Sequence, residues 1–383
     1  MLELIQSLSS LELVLWGFFL VLSLYLIVYA FVSLRKLLLF KDKGSITLTN
    51  KSYPPVSLII CAKNEAPNLR QFLPLVLGQD YPEFQVVVVN DCSEDDSQEV
   101  LEQFQQQYPQ LYVSTIKKDP IYTHGKKLAI TLGIKAAKYE HLVFTDADCY
   151  PNSDQWLRKM AGHFSAEKSI VLGVSPYEKS KGLLGQMIAY ETLQTAMSYI
   201  SSALRHKTYM GVGRNMAYTK TLFYENKGFA GHTHLLSGDD DLFINKAATK
   251  ENVAVEFSSE ALVKSVASQD WKTYVQQKRR HLSTGQLYKP QQKLRFGLEA
   301  VLGFLFYASF ISLLVFASYP LWAVGIFALR FLINSSYRRV AARKLNFEQA
   351  FFFSALWLDV LVPLFRSFLV IINTLKPQKF TWR

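Results

Sequence analysis

Cysteine is scarce in this chain of 383 residues: Cys61, Cys92 and Cys149 are an odd set, with no CxxC spacing and no histidine pair beside them. A disulfide framework and a structural zinc site are thereby excluded, leaving small buried residues in a reducing compartment. Charge is also sparse, at 19% of residues against 50% apolar, with a mean hydropathy of +0.09; a chain this apolar is not disordered. There is no internal repeat, Gly/Ser linker or heptad run, and no G-x-x-x-x-G-K-[ST] loop. Solenoids, coiled coils and phosphoryl-transfer ATPases are not supported. The net charge of +11 comes without a nucleic-acid-binding motif. Many of its cations flank apolar runs instead: Arg35, Lys36, Lys41 and Lys43 after the first, Arg338, Arg339, Arg343 and Lys344 between two later ones. This pattern suits the cytosolic flanks of membrane segments and their anionic lipids, with no nucleic acid as partner.

What is present is apolar sequence bunched at the two ends. Leu13–Leu34 is an uncharged stretch of 22 residues, roughly 33 Å long as a helix and able to cross a hydrocarbon core of about 30 Å. No basic segment precedes it and the basic cluster follows it, which favours an anchor over a cleaved signal peptide and puts everything from about Arg35 in the cytosol. Three further apolar segments follow Lys293: Phe296–Phe316, Leu321–Ile333 and Ala350–Leu375. The first two are credible spans. The third holds Asp359, Pro363 and Arg366, which favours contact with protein, an interfacial position or a broken helix. If Lys376, Lys379 and Arg383 are cytosolic, it is not a single complete span. The expected organisation is residues 1–40 as a helix with a basic flank, 53–293 as a soluble domain, and 296–375 as transmembrane or interfacial helices.

Within the soluble part, β-rich runs at Val56–Cys61, Phe84–Val89 and His141–Thr145 alternate with helical patterns at Asn68–Leu77, Ser97–Gln107 and Lys126–Lys138. Such alternation predicts parallel strands with crossover helices, whose ligands bind beyond the carboxyl ends of the strands. The polar residues there are the candidates. Asp91, after the second run, suits a base or ribose hydrogen bond or a helix cap, while Ser93, Asp95 and Ser97 suit capping of the next helix. Asp146 and Asp148, after the third, point the same way on an extended strand and suit a hard cation such as Mg²⁺ or Mn²⁺ with a phosphate, though surface turns carry the same pattern. Gly125-Lys126-Lys127 opens a helix and suits an anionic diphosphate or a solvated basic turn. In Ser237-Gly-Asp-Asp-Asp-Leu242, adjacent carboxylates raise one another's proton affinity, as a general base requires, or complement a helix N-terminus. Arg279 and Arg280, in Trp271–His281, suit a bidentate diphosphate clamp or a membrane flank.

Val56–Glu65, Asn90–Ser97, Gly125–Ala129, Asp146-Ala-Asp148, Gly238-Asp-Asp-Asp-Leu242 and Gln277-Lys-Arg-Arg-His281, in this order between apolar segments, resemble the motif series of membrane-bound family 2 glycosyltransferases. The resemblance covers nearly the whole chain. It implies an α/β GT-A (nucleotide-diphospho-sugar transferase) domain with N-terminal and C-terminal transmembrane helices, and a hexosyltransferase that inverts the anomeric carbon. Its implied partners are a UDP-sugar donor, a divalent metal (Mg²⁺ or Mn²⁺), a lipid-linked or glycan acceptor, and membrane lipid. By matching position, Asp91 contacts the uracil or ribose, and Asp146 and Asp148 bind the diphosphate and its metal. Lys126, Gln277 and Arg280 contribute to donor binding. The Thr-Glu-Asp-x-Asp-Leu motif makes Asp239 the general base, with Gly238 in place of glutamate and Asp240 as the fallback. His281 stands where the motif Gln-x-x-Arg-Trp of processive synthases has tryptophan, so a single transfer stands beside polymer synthesis. The implied location is the bacterial inner membrane, with the catalytic domain cytosolic. The rival reading is a catalytically inactive membrane scaffold that binds nucleotide or a partner.

Overall fold

The computed structural model describes residues 9–40, 53–117, 125–233, 235, 237–348, 351 and 353–376; Lys41, Lys43, Ala350, Lys379 and Arg383 lie outside the described residues. In chain order the elements are α1 (Ser10–Leu38), β1 (Val56–Ala62), α2 (Ala66–Leu77), β2 (Phe84–Asp91), α3 (Ser97–Gln107), β3 (Leu111–Ile116), α4 (Lys126–Ala136), β4 (His141–Asp146), β5 (Cys149–Pro151) and α5 (Trp156–Ala161). They continue with β6 (Ile170–Leu172), α6 (Gly182–Leu204), β7 (Met216–Thr219), α7 (Lys220–Glu225), α8 (Asp241–Ala247), β8 (Val253–Val255), β9 (Val263–Ser265), α9 (Trp271–Leu282), α10 (Pro290–Phe316), α11 (Pro320–Lys344) and α12 (Ala355–Leu375).

The strands predicted from apolar runs form the centre of a seven-stranded sheet in the order β3-β2-β1-β4-β7-β6-β8. β1, β2, β3 and β4 are mutually parallel, while β7 runs antiparallel to β4 and β6. Strand periodicity sends alternate residues of β1 and β2 to opposite faces. Ile59, Val87 and Val89 join Ile130 and Ile134 of α4 in one core, while Leu58, Ile60, Val86 and Val88 join Leu69 and Leu73 of α2 and Val100 of α3 in the other. Both faces are covered, so these strands read as unbroken apolar runs instead of alternating ones. β1, β2 and β4 pair in register, bringing Ala62, Asn90–Asp91 and Asp146 to one edge of the sheet. A small antiparallel pair, β5 with β9, stands beyond that edge.

Among the described residues three helices, Ser10–Leu38, Pro290–Phe316 and Ala355–Leu375, are long and apolar enough to cross a membrane. The segment expected at Leu321–Ile333 is not among them. It lies in the longer helix α11, whose second half carries Arg330, Asn334, Ser335 and Arg338. α11 nonetheless packs along α1 and α10, where Phe19, Phe306, Leu313 and Ala323 share a core and the rings of Phe19 and Phe306 stack at 5.3 Å. Glu12 accepts hydrogen bonds from the amide and hydroxyl of Ser318 at 2.6 and 2.9 Å. The start of α1 therefore meets the α10–α11 turn, at the end away from Arg35, Lys36 and Arg343.

α12 stays helical through Pro363 and turns its charged residues inward. Both carboxylate oxygens of Asp359 accept from Arg338 at 2.8 Å, and Arg366 reaches Glu191 of α6 at 2.8 Å. Leu358, Val362 and Leu369 are buried against the protein, while Leu364, Phe368 and Ile371 face outward. Of the three readings of this segment, contact with protein, an interfacial position or a broken helix, the structure contains the first, and the helix is not broken.

Candidate active site

The site is built where the parallel strands end. Asp91 closes β2 and is fully buried; Asp146 closes β4, with Asp148 two residues beyond. α4 begins beside them and brings Lys126, whose Nζ lies 2.7 Å from Asp146 Oδ1 and 3.4 Å from Asp239 Oδ2. Lys126 thus bridges two motifs more than ninety residues apart in sequence. Burial disfavours its charge, but Asp146, Asp239 and Asp240 more than compensate and hold its pKa well above the ordinary lysine value. For Asp146 burial likewise opposes ionisation, and Lys126, Arg214 and Arg280 outweigh it, so its carboxyl stays below the usual range. Asp148 goes the other way, raised by burial and by the charge of Asp146.

Asp146, Asp148 and Cys149 offer ligand atoms within 4.8 Å of one another. The two carboxylates fit a hard divalent cation, which would relieve the repulsion that raises Asp148. Cys149 fits less well. Its thiol is pushed up by burial and by Asp148, stays protonated, and donates to Asp148 Oδ1 at 3.2 Å; it orients a ligand and is a poor one itself.

The three adjacent carboxylates separate into different environments. Asp239 is buried and faces Lys126. Asp240 accepts the Gly213 amide at 2.8 Å and the Asp241 amide at 2.7 Å, and burial with Asp239 and Asp241 pushes it up to about 7. Asp241 accepts from the hydroxyls of Thr284 at 2.6 Å and Tyr288 at 2.8 Å. Asp239 makes the ion pair with Lys126, while Asp240 and Asp241 bond the amides and hydroxyls that tie α8 to its surroundings. Gly238 has φ +97, and a Cβ there would meet Leu242 Cδ1 at 2.6 Å. The glutamate of the related motif does not fit this backbone.

α9 carries the last pair. Gln277 and Arg280 are half-buried, and Arg280 Nε is buried with no hydrogen-bond partner among the described residues. A buried guanidinium nitrogen without an acceptor, close enough to lower Asp146, fits an anionic ligand. The side chain of Gln277 makes no hydrogen bond among the described residues. Arg279 is not part of the clamp: its guanidinium donates to Asn373 Oδ1 at 2.7 Å and Lys376 O at 2.8 Å, fastening the end of α12. Lys127 also turns away, donating to His232 O at 2.6 Å and Leu235 O at 3.0 Å, and burial brings it down to about 8. Ser93, Asp95 and Ser97 accept from the amides of Asn64, Ala66 and Glu65, so they cap the preceding helix α2 across the gap between strands and not the next helix as expected; toward α3, Asp95 alone of the three contributes, accepting the Ser97 amide at 3.0 Å.

The structure adds residues that the motifs did not single out. Cys61, at the end of β1, has its thiol raised by burial and then by Asp146, Asp239 and Asp91, with Lys126 opposing, which puts Asp91 within electrostatic reach of the same cluster. Glu65 is pushed up to about 7 by burial, with Asp148 and Asp146 adding and Asn68 opposing. Arg214 lies 4.2 Å over the Tyr177 ring and donates to Ser175, holding a cation beside Asp146 and Asp148. Its loop is anchored by Asn215, which accepts the Trp156 indole at 3.0 Å and donates to Val174 O and Ala261 O. A Cβ on Gly173 would lie 2.4 Å from that Asn215 side chain. Glu191 of α6 is buried among Tyr274 at 2.6 Å, Lys278 at 2.6 Å and Arg366 at 2.8 Å, joining α9 to α12.

Residues 57–226 match the family described as "Glycosyl transferase family 2". Over 99 residues the chain is 30% identical to the poly-beta-1,6-N-acetyl-D-glucosamine synthase of Staphylococcus epidermidis, covering 26% of this chain and 23% of the relative. Over 108 residues it is 34% identical to glycosyltransferase AglE of Haloferax volcanii, covering 28% of this chain and 34% of the relative. The match thus spans about a quarter to a third of these curated relatives. The fold is similar to that of the mannosyltransferase PcManGT from Pyrobaculum calidifontis, solved with GDP-Man and Mn²⁺, with a TM-score of 0.58 and 18% identity over 88% of this chain and 98% of that one. The α/β domain is of GT-A type, as expected.

Proposed function

We propose that this chain, which carries a family 2 glycosyl transferase domain at residues 57–226, is a membrane-anchored inverting glycosyltransferase that moves a sugar from a nucleotide-diphospho-sugar to a lipid-linked or glycan acceptor. The carrying observation is the bridge of Lys126 between Asp146 and Asp239, beside the half-buried Arg280. It joins a diphosphate site to a candidate base at the carboxyl ends of parallel strands, where α/β folds bind ligands. The donor is taken as a UDP-sugar, with Asp91 toward the nucleoside. The relative solved with GDP-Man makes GDP-sugars the comparison to run.

In this reading Asp146 and Asp148 hold Mg²⁺ or Mn²⁺, which neutralises diphosphate charge when bound. Lys126, Arg280 and Gln277 hold the diphosphate as charge builds on its leaving oxygen. Asp239 takes the proton of the attacking acceptor hydroxyl, a step worth about 10²–10⁴ in rate. The new bond joins the acceptor oxygen to the anomeric carbon, the bond to the diphosphate breaks, and its electron pair leaves with the nucleotide; attack opposite the leaving group inverts the centre. Asp240, held by two amides, is the weaker base candidate. α1, α10 and α12 anchor the chain, with the domain on the side of Arg35, Lys36 and Arg343, which in a bacterium is the cytosolic face of the inner membrane.

The test is nucleotide release from a panel of UDP- and GDP-sugars by detergent-purified protein, with Mn²⁺ or Mg²⁺, with and without a lipid extract. Metal-dependent release that rises with lipid and is lost in Asp146→Ala is expected. Asp239→Asn should keep donor binding and lose transfer; unchanged turnover in that variant would overturn the base assignment.

A further inference from the structure

We infer that the acceptor is a lipid with a phosphate-bearing headgroup, and that it docks in the cavity between the loop 178–181 and residues 266–269. This rests on the proposed transferase reading and narrows its acceptor. The cavity has a volume of about 350 Å³ and is lined by Glu178, Lys179, Ser180, Lys181, Val266 and Gln269, among others. The Tyr150 hydroxyl donates to one oxygen of the Glu178 carboxylate, and the two lysines, neither in an ion pair among the described residues, outnumber that single acid. Gln269 commits its amide nitrogen to Ala267 O, leaving its oxygen to a hydroxyl. The lining therefore suits an anion with hydroxyls around it.

Its surroundings differ on two sides. Outward stand Leu183 at 48%, Val266 at 39% and Trp271 at 43% exposure. Trp271 meets Phe365 of α12 with ring centroids 6.3 Å apart, and α12 exposes Leu364 and Phe368 beyond it. A soluble glycan or free phosphate has no use for this apolar surface, which continues onto a helix long and apolar enough to cross a membrane. Inward, Tyr177 adjoins the cavity and lies under Arg214, whose charge reaches Asp146 and Asp148. The Glu178 amide donates to Ser265 O at 2.9 Å, tying this wall to β9. A phosphate between the lysines would anchor the headgroup, its sugar or polyol hydroxyl directed past Tyr177 and its tail along α12.

The experiment is photo-crosslinking of the full chain in uncharged detergent with a diazirine-bearing phosphatidylglycerol probe, mapped by peptide mass. Labels are expected within residues 178–183 and 266–271. They should fall by at least about tenfold in Lys179→Glu/Lys181→Glu and persist in Lys179→Arg/Lys181→Arg. Inorganic phosphate at millimolar concentration should compete poorly. Equal labelling by a diacylglycerol probe, full competition by inorganic phosphate, or labels spread evenly over all basic segments would overturn the inference. Mn²⁺-dependent UDP or GDP binding is read on the same samples. Its retention with no cavity label sinks this inference alone, whereas its absence in the unaltered protein sinks the transferase reading beneath it.

Discussion

Glu191→Gln tests whether the helix carrying Arg280 is held in place by one buried carboxylate. The side chain is nearly isosteric and still accepts the Tyr274 hydroxyl, but loses the charge that faces Lys278 at 2.6 Å and Arg366 at 2.8 Å. Lys278 is 20% exposed and its loss weighs most; breaking such a buried pair costs about 3 kcal/mol. Arg366 is 41% exposed, and solvent screening reduces its share to ~0.5 kcal/mol. At 2–4 °C per kcal/mol for a domain of this size, the melting temperature should fall by about 7–14 °C. Because α9 also carries Arg280, a shift on the order of 1 Å should lower turnover about 10²-fold, with nucleotide release reading the second effect. There is a pH signature too. Burial alone would raise the Glu191 pKa, but Lys278 and Arg366 hold it well below the usual carboxylate range. A depressed folded-state value contributes stability that is complete above the unfolded value of about 4.3 and is lost as pH falls below it. The unaltered protein should therefore lose melting temperature below about pH 4 more steeply than the Gln variant. Unchanged melting temperature and turnover in Glu191→Gln would refute the reasoning.

Lys126→Met leaves Asp146 and Asp239 without their shared cation, with Asp240 close by. Its melting temperature should drop by ~4–8 °C, from about 2 kcal/mol, and recover on adding Mn²⁺ by more than the parent gains. Gly173→Ala drives a methyl to 2.4 Å from Asn215, a side chain with three hydrogen bonds; overpacking should cost about 3 kcal/mol in denaturant unfolding and lower turnover through the Arg214 loop. Asp240, raised to about 7, contributes a stability that falls as pH rises from its unfolded value near 4 toward 7. Asp240→Asn should flatten that slope in a melting-temperature series, and an unaltered slope would contradict the assignment.

The central strands were legible because both of their faces are buried. Apolar runs such as Val86–Val89 and Leu58–Cys61 have no other stable place, and each stops within two residues of the end of its strand. The carboxylates Asp91, Asp146 and Asp148 were legible for the same reason, being the acidic residues that closely follow such runs. The short strands β6, β8 and β9, three residues each, carry too few residues for any period. α12 was readable only in part: its charges argued against a lipid-facing helix, but their partners Arg338 and Glu191 sit on other helices, 21 and 175 residues away.

The same distinction separates Arg279 from Arg280. Both are cations on one helix, and composition cannot divide them. The helical step of about 100° per residue does: it turns Arg279 onto Asn373 and the end of α12 and leaves Arg280 toward Asp146 with a buried nitrogen unpaired among the described residues. Asp239 and Asp240 divide likewise, since the φ of +97 at Gly238 sets which carboxylate meets Lys126 and which meets the Gly213 amide. Glycine at 238 thus does what the related motif's glutamate could not do on this backbone. It turns the chain sharply enough for one carboxylate to enter the site while the next two fasten α8 behind it.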